Sequence, residues 1–240
     1  MIVEWAAAAL VIAVASFVLG LAGFGIGLVA MALLPFLMSP VTAIVVLTMY
    51  TMVLALVILL PVWRDLRLPR VFDMLAGGLI GTPLGVWVLS TVPVTTLKRL
   101  IGVTLVLVVL LEWAQLRPTR LVGRAWGMGA GVLAGIAGGA VGTPGPPVIL
   151  YSTTQGWSPR TFKANLQAFF FVNQAVTLAG YWWAGLVTVE VWRLAGSFAL
   201  PAAAGAIVGM LCFNHVDQHR FRRIVFGLLL ISGLALLARG

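Results

Sequence analysis

The sequence contains few charged residues, and acidic residues are the scarcest. Its 240 residues include 6 aspartates and glutamates and 15 lysines and arginines, so that 9% are charged, whereas 62% are hydrophobic. The mean hydropathy is +1.12. This composition leaves too little polar surface to cover a soluble domain of this length. We therefore predict a membrane protein whose main partner is the lipid bilayer.

Cysteine is also scarce, because Cys212 is the only one in the chain. A single cysteine excludes an internal disulfide and provides no cysteine-based metal site. His215, Asp217 and His219 have a spacing that would suit a metal on a helix, but no hydrolytic motif accompanies them. We predict no metal and no other cofactor.

Several functional classes lack the residues that they require. The net charge of +9 comes from basic residues scattered between hydrophobic stretches, as positive-inside topology explains, so we expect no nucleic-acid partner. The hydrophobic stretches carry no paired aspartates, no serine–histidine arrangement and no zinc motif, which disfavours an intramembrane enzyme. The carboxylates fall at or beyond the ends of these stretches and offer no proton relay.

The sequence does contain a repeated glycine motif. The segment GLAGFGIG at 20–27 returns in altered form as GIAGGAVG at 135–142. Other landmarks recur in the same order: Ser39-Pro40 as Ser158-Pro159, and Gly81 and Gly85 as Gly205 and Gly209. We predict two homologous repeats, 1–118 and 119–240. Duplicated hydrophobic units broken by glycine and proline are typical of secondary transporters.

Hydrophobic length predicts the spans. A membrane-crossing helix needs about 20 apolar residues, and six stretches provide them: 41–62, 72–91, 97–116, 164–185, 192–212 and 223–238. Two further segments, 5–38 and 125–157, are too long for one span, short for two, and broken by a glycine motif. Each predicts a hairpin of two short helices or a broken helix. The fold class is therefore an all-α polytopic membrane protein, with one hairpin and three transmembrane helices per repeat.

The basic residues favour one of two orientations. If each glycine-containing segment crosses once, the repeats are parallel and the basic residues divide eight against seven. If each segment is a hairpin, the second repeat is inverted and eleven of the fifteen, including Arg67, Arg120, Lys163 and Arg222, lie on one side. Because cytoplasmic loops are enriched in lysine and arginine, we predict inverted repeats with both termini outside.

The glycine motifs resemble those of a known family. Pro35 follows the first motif and a proline-rich run at 144–147 follows the second, as in the sulfite exporter TauE/SafE family, also called the toluene sulfonate uptake permeases. The segment WSPRTFKANL at 157–166 is also similar. The resemblance covers essentially the whole chain, although Phe24 interrupts the family's denser glycine pattern. It implies a transporter of the bacterial inner membrane for sulfite, an organosulfonate or a related small anion.

The glycine turns are the predicted binding region. Backbone outside a regular helix at membrane depth is buried in protein or lines a cavity, and helix N-termini favour anions. Two hairpins from opposite faces would bring their tips together near the membrane centre, so we expect the substrate between them. The predicted contacts are Gly23, Phe24, Gly25, Gly27, Thr48, Thr51, Gly138, Gly139, Gly142, Thr143, Lys163, Asn165 and Gln167.

Simpler roles exist for the same residues. Glycine often permits close helix packing in membranes, amides often join helices, and lysine near a span end reaches the headgroups.

An anion leaving an inside-negative cell gains about 2.3 kcal/mol per charge per 100 mV. The sequence therefore favours a secondary transporter that exports its substrate. A channel-like anion pore is the first alternative, and an intramembrane enzyme is a more distant one.

Overall fold

In the computed structural model every regular element is helical across the residues that it describes, namely 2–114, 121, 123–212 and 218–239. The helices are α1 (Ile2–Ala22), α2 (Ile26–Leu33), α3 (Pro40–Leu59), α4 (Leu68–Thr91), α5 (Val94–Trp113), α6 (Arg124–Val141), α7 (Gly145–Thr153), α8 (Pro159–Trp183), α9 (Val189–Ser197), α10 (Ala199–Leu211) and α11 (Gln218–Arg239). Short 3-10 helices follow α2 and α3. The predicted all-α class is confirmed.

Some sequence predictions lie outside the described residues. They concern the boundary between the repeats at 118/119, the side of the membrane on which Arg120 lies, and the ligand-type residues His215 and Asp217. The side chains of His219 and Arg222 also lie outside what the structure describes.

Among the residues that the structure describes, four helices are long and apolar enough to cross a membrane, and a fifth span results if α9 and α10 count as one. The four are Val3–Ala22, Pro40–Asp65, Val71–Thr91 and Val94–Trp113. Helix α8 covers residues 164–183 of the predicted span 164–185 without a break, and α11 covers the predicted span 223–238. The helices thus support the predicted polytopic membrane protein.

The predicted span 192–212 is not one straight helix. It is divided at Phe198, where α9 and α10 meet at a bend of 46°. Pro201 is the third residue of α10 and has no N–H to pair with the carbonyl of Ser197, so the helix before it cannot continue without interruption. The prediction of an uninterrupted span here is wrong, and the proline accounts for the bend.

Both glycine motifs interrupt helices, as predicted. In the first, α1 ends at Ala22 and α2 begins at Ile26, while Gly23 and Gly25 have φ of 80° and 96°. In the second, α6 ends before Gly142, whose φ is 71°. These positive φ values favour glycine because it has no Cβ. Each hairpin joins a long helix of 21 or 18 residues to a short one of 8 or 9 residues.

The second hairpin returns to the end from which it started. The side-chain amide of Gln155, just after α7, donates to the carbonyl of Leu121, just before α6, at 2.9 Å. Helix α6 has 18 residues and is therefore about 27 Å long. A single crossing would separate residues 121 and 155 by the width of a membrane, so this contact favours the hairpin.

Helices α4, α6 and α8 run in the same direction. Along α4 and α8, the backbone N–H of Arg67 donates to Asn165, Thr82 lies beside Asn173, and Val86 lies beside Gly180. Along α4 and α6, Gly77 faces Met128 and Gly85 faces Ile136. The starts of all three helices therefore lie together. This arrangement again favours a hairpin at 125–157, because a single crossing would make α4 and α8 antiparallel.

The chain folds into two compact units, and each unit contains segments of both predicted repeats. Unit 1 comprises Met1–Leu47, Val92–Leu116 and Thr188–Gly240, and unit 2 comprises Thr48–Thr91 and Arg117–Val187. In unit 1, α1 packs against α10 and α5 against α11. In unit 2, α4 packs against both α6 and α8.

The same glycine-mediated contact occurs inside each unit. In unit 2 Gly81 of α4 faces the backbone of Val132 on α6, and in unit 1 Gly209 of α10 faces the backbone of Phe17 on α1. Phe17 and Val132 are 115 positions apart, like the glycine motifs, whereas Gly81 and Gly209 are 128 apart. The sequence analysis paired Gly81 with Gly205 instead, and Gly205 lies one helical turn before Gly209. The repeated contact supports a duplicated unit.

Exposed side chains of unit 2 form an apolar surface with aromatic ends. Ile80 in the middle of α4 is 63% exposed. Trp63 and Trp126 are exposed near the starts of α4 and α6, while Trp87 and Trp183 are exposed near the ends of α4 and α8. Tryptophan is enriched at both interfaces of a membrane. The pattern fits a unit that spans a bilayer.

We predict that the α4–α6 contact tolerates no methyl group at Gly135. A Cβ there would lie 2.6 Å from the carbonyl oxygen of Gly78 and 2.7 Å from the nitrogen of Thr82, both backbone atoms. Gly135→Ala should therefore destabilise the protein by about 1–3 kcal/mol. Gly129 lies on the same helix with no described atom within 4 Å of such a methyl, so Gly129→Ala is the control. Equal denaturation midpoints for the two purified variants would contradict this packing role.

Candidate substrate site

The buried polar side chains of unit 2 are concentrated on α8. This helix begins at Pro159, after Ser158, whose hydroxyl accepts a hydrogen bond from the backbone N–H of Thr161 at 3.2 Å. Residues four apart are neighbours on a helix surface, and a row at this spacing turns by about 40° round the helix axis at each step. Asn165, Asn173, Thr177 and Tyr181 follow this spacing and are at most 3% exposed. We call this winding row of four residues the polar face of α8, although it turns by about 160° round the helix between Asn165 and Tyr181. The face extends about 24 Å along the helix axis.

The polar face contacts α4 and α6 at three levels. At its start, the Oδ1 atom of Asn165 accepts the backbone N–H of Arg67 at 2.8 Å. In the middle, the hydroxyl of Thr82 donates to Oδ1 of Asn173 at 3.4 Å. At its end, the hydroxyl of Tyr181 donates to the carbonyls of the second glycine motif on α6.

Asn165 has one occupied and one unoccupied polar atom. Its Oδ1 atom holds the backbone where α4 begins, which is the joining role that the sequence left open. Its Nδ2 group is buried and has no hydrogen-bond partner among the described residues, and the same is true of Nδ2 of Asn173. Buried polar groups are nearly always paired with protein, water or a ligand. These two amides therefore offer donors along the polar face.

Gln167 points away from Asn165. Both side chains are fully buried, but residues two apart do not share a helix face. The structure therefore does not bring these two amides to one side of α8.

The second glycine turn closes the end of α6. Gly142 has a left-handed conformation, and its N–H donates to the carbonyl of Gly138 at 3.0 Å. The N–H of Thr143 donates to the carbonyl of Ala137 at 3.2 Å. The hydroxyl of Thr143 is buried and finds no hydrogen-bond partner within the described parts of the chain. The turn thus presents one unpaired hydroxyl.

Two glycines of this turn have identifiable steric roles. A Cβ at Gly138 would lie 3.0 Å from Cβ of Pro144, which folds back against α6. A Cβ at Gly139 would lie 2.9 Å from the nitrogen of Val86 on α4. Gly139 therefore serves the close helix packing that the sequence allowed for, and substrate contact by these glycines stays a prediction.

The N-terminus of α7 supplies fewer backbone donors than expected. Pro144 is the N-cap, and Pro146 and Pro147 follow Gly145. Proline has no N–H, so Gly145 is the only one of these four residues that carries a backbone donor. An anion at this turn would depend more on side-chain hydroxyls and amides than on the helix end.

The first glycine turn lies in unit 1. Gly25 is the N-cap of α2 and, as a glycine, provides no side-chain cap. The first turn of α2, which includes Gly27, is the positive end of the helix dipole. Phe24 is half-buried between Gly23 and Gly25. These four residues stay predicted contacts of the substrate.

The remaining predicted contacts lie at opposite ends of α8. Thr48 is 1% exposed and its side chain hydrogen-bonds with Tyr181, near the glycine turn, and Thr51 is also buried. Lys163 is half-buried in the first turn of α8, one residue before the predicted span. Burial lowers the pKa of the Lys163 ammonium group, because removing the charged form from water is unfavourable.

The turn and Asn165 are farther apart than the sequence suggests. The turn contacts Tyr181, whereas Asn165 contacts Arg67, and the 16 positions that separate Asn165 from Tyr181 along α8 correspond to about 24 Å. The expectation that Asn165 lies next to the second turn is therefore wrong. The turn also lies beside the last turn of α8 instead of near its middle, because α6 is long and α7 is short.

Sequence reasoning missed Tyr181 and Thr82. A tyrosine near the end of a span is usually an interfacial residue, and nothing in the local sequence marks this one as a partner of Gly139. Asn173 was visible as a polar residue within a span. Its spacing of eight from Asn165 was the available signal for a shared face.

Comparison with known proteins identifies the family. The family model of the sulfite exporter TauE/SafE family matches residues 8–236. The chain belongs to this family. Its members are membrane transporters, so the predicted resemblance is confirmed. We found no significant match among curated proteins or among solved structures.

We predict that Asn165 stabilises the start of α4. Asn165→Leu removes the acceptor of the Arg67 N–H and should lower the free energy of unfolding by about 1–3 kcal/mol. Arg67→Ala is the matched control, because it retains the backbone donor and removes only an exposed side chain. Denaturation of both purified variants measures the effect. Unchanged stability of Asn165→Leu would show that this hydrogen bond contributes nothing.

Proposed function

We propose that this TauE/SafE member is a secondary transporter that exports sulfite or a small organosulfonate across the bacterial inner membrane. The observation that carries this proposal is a series of buried donors in unit 2 that have no partner in the described parts of the chain. They are Nδ2 of Asn165, Nδ2 of Asn173 and the hydroxyl of Thr143. Sulfite and sulfonate present several oxygen acceptors, which amide and hydroxyl donors can bind. The family match supports the same substrate class.

In this proposal the anion moves along the polar face of α8. It enters near Lys163 and Asn165, passes Asn173, and is held at the second glycine turn by Thr143. The fixed positive charge of Lys163 attracts an anion toward the entrance. The buried donors then replace part of its hydration shell. Gln167 and Thr51 are further proposed contacts at the two ends of this route, whereas the hydroxyl of Thr48 is engaged with Tyr181.

The membrane potential supplies the direction. An anion that leaves an inside-negative cell gains about 2.3 kcal/mol per charge per 100 mV. Export therefore needs no coupled ion, whereas uptake would need one. The scarcity of acidic residues, six in all, agrees with a carrier that runs on the potential.

The proposed orientation has inverted repeats with the start of α8 in the cytoplasm. The shared direction of α4 and α8 and the contact between Gln155 and Leu121 support it. In this orientation Arg67, Arg160 and Lys163 all lie on the cytoplasmic side, as the positive-inside rule favours.

Thr143→Val tests the substrate site. The hydroxyl of Thr143 has no described partner, so its replacement by a methyl group should not reduce folding stability. It should weaken sulfite binding by about 1–1.5 kcal/mol, because a hydrogen bond to the anion is lost. Sulfite, an alkyl sulfonate, sulfate and chloride are tested for thermal stabilisation of the purified protein, since a ligand of the folded state raises its apparent stability.

Ser16→Ala is the matched control for this test. Ser16 on α1 also has a buried hydroxyl without a partner among the residues described, and it lies seven residues before the first glycine turn. We expect its sulfite affinity to equal that of the wild type. If Thr143→Val also binds sulfite as tightly as the wild type does, the second glycine turn is not part of the site. Non-saturating sulfite flux in liposomes would indicate a pore, and stabilisation by chloride alone would refute the substrate class.

Cysteine labelling tests the orientation. In a Cys212→Ser background, cysteines replace Arg160 in the first turn of α8 and Ala184 just beyond its end, both of which are exposed. We expect an impermeant maleimide added outside intact cells to label position 184 and not position 160. Outside labelling of position 160 would reject the inverted arrangement, and lysed cells provide the control for reactivity at both positions.

A further inference from the structure

Tyr181 makes three hydrogen bonds from a position with no solvent exposure. Its hydroxyl donates to the carbonyl of Gly139 at 2.8 Å and to that of Gly138 at 3.3 Å. It also hydrogen-bonds with the side chain of Thr48 on α3. A tyrosine hydroxyl has one proton, and carbonyls can only accept, so Thr48 is the donor in this third bond.

The carbonyl of Gly139 needs this contact because its usual partner is engaged elsewhere. In a continuing helix it would accept the N–H four residues later, which belongs to Thr143. That N–H donates to Ala137 instead, as α6 ends at Gly142. Carbonyls at the end of a helix need partners from outside it. Tyr181 provides one from α8.

The same contact fixes the residue proposed to bind the substrate. Thr143 is four residues beyond Gly139, and its own backbone is held by the bond to Ala137. The position of its hydroxyl therefore depends on how the end of α6 is held. The chain from Thr48 through Tyr181 to Gly139 connects three helices, α3, α8 and α6, at this level of unit 2.

We infer that Tyr181 is a positioning residue, which holds the second glycine turn in the conformation that presents Thr143 to the substrate. This inference rests on the proposed function for its effect on transport, but the position of the turn can be measured without any substrate. Tyr181 does not itself bind the anion, because its single proton is directed to the carbonyls of α6.

Tyr181→Phe and Tyr151→Phe form a matched pair of variants. Both tyrosines are at most 1% exposed in unit 2. The hydroxyl of Tyr151 has no partner within the described residues, whereas that of Tyr181 has three. Each variant removes one buried hydroxyl and keeps the ring. Thr48→Val removes the bond to Tyr181 from the other side and serves as a second variant if Tyr181→Phe does not fold.

The first measurement is hydrogen–deuterium exchange of the peptide covering residues 137–145, without substrate. Loss of a buried hydrogen bond should raise exchange on the order of tenfold in Tyr181→Phe, with a smaller rise in Thr48→Val and none in Tyr151→Phe. Equal exchange in Tyr181→Phe and Tyr151→Phe overturns the inference whatever the substrate is.

The second measurement is sulfite transport into liposomes. We expect the KM of Tyr181→Phe to rise by several-fold to about tenfold, with a smaller change in maximal rate, and the KM of Tyr151→Phe to stay at the wild-type value. Faster exchange with an unchanged KM would overturn the link between the turn and binding. Faster exchange in a protein whose wild type does not transport sulfite would support the positioning of the turn and refute the proposed substrate.

Discussion

A helix that ends within a membrane protein must satisfy its last carbonyl groups, and this constraint governs unit 2. Residues 138–143 are buried, and an unpaired backbone group away from water costs several kcal/mol. Helix α6 ends at Gly142 and meets the requirement with its own backbone and with the hydroxyl of Tyr181. The end of α6 is therefore coupled to α8 through the buried hydroxyl of Tyr181.

The glycines of the second motif have two physical roles. Gly135 and Gly139 let α6 approach α4 so closely that a methyl group would meet backbone atoms. Gly138 makes room for Pro144, and Gly142 provides the left-handed conformation that ends the helix. Glycine is thus required by the architecture before any ligand is considered. In the proposed site, selectivity would come from neighbouring side chains such as Thr143, which carry the side-chain donors that glycine lacks.

The sequence was informative where the cause of the structure is local. Positive φ at Gly23 and Gly142 and the missing N–H of proline act on the backbone of adjacent residues, so the breaks could be predicted. The distribution of basic residues favoured a hairpin at 125–157, and the contact between Gln155 and Leu121 agrees with it. Pro201 was equally visible, but hydropathy averaged over 192–212 concealed its effect on the helix.

Contacts between distant segments were less predictable. Asn165 was expected beside the second glycine turn because the two are near in sequence. Helix α7 returns the chain toward the start of α6, so Asn165 lies near the start of α8. Helix α8 then reaches the second glycine turn only at Tyr181, near its other end. The partnership of Tyr181 with Gly139 depends on the relative positions of α6 and α8. No local pattern specifies those positions.

The chemistry of the polar face suits a carrier that must release its substrate. A buried cation would bind an anion strongly in a medium of low dielectric constant and would also cost much free energy to bury. In the proposed route the charged group, Lys163, is at the entrance and only half-buried. Beyond it the donors are the neutral groups of Asn165, Asn173 and Thr143. In the proposed route, neutral donors would offset part of the lost hydration without a deep energy minimum, as export driven by the membrane potential requires.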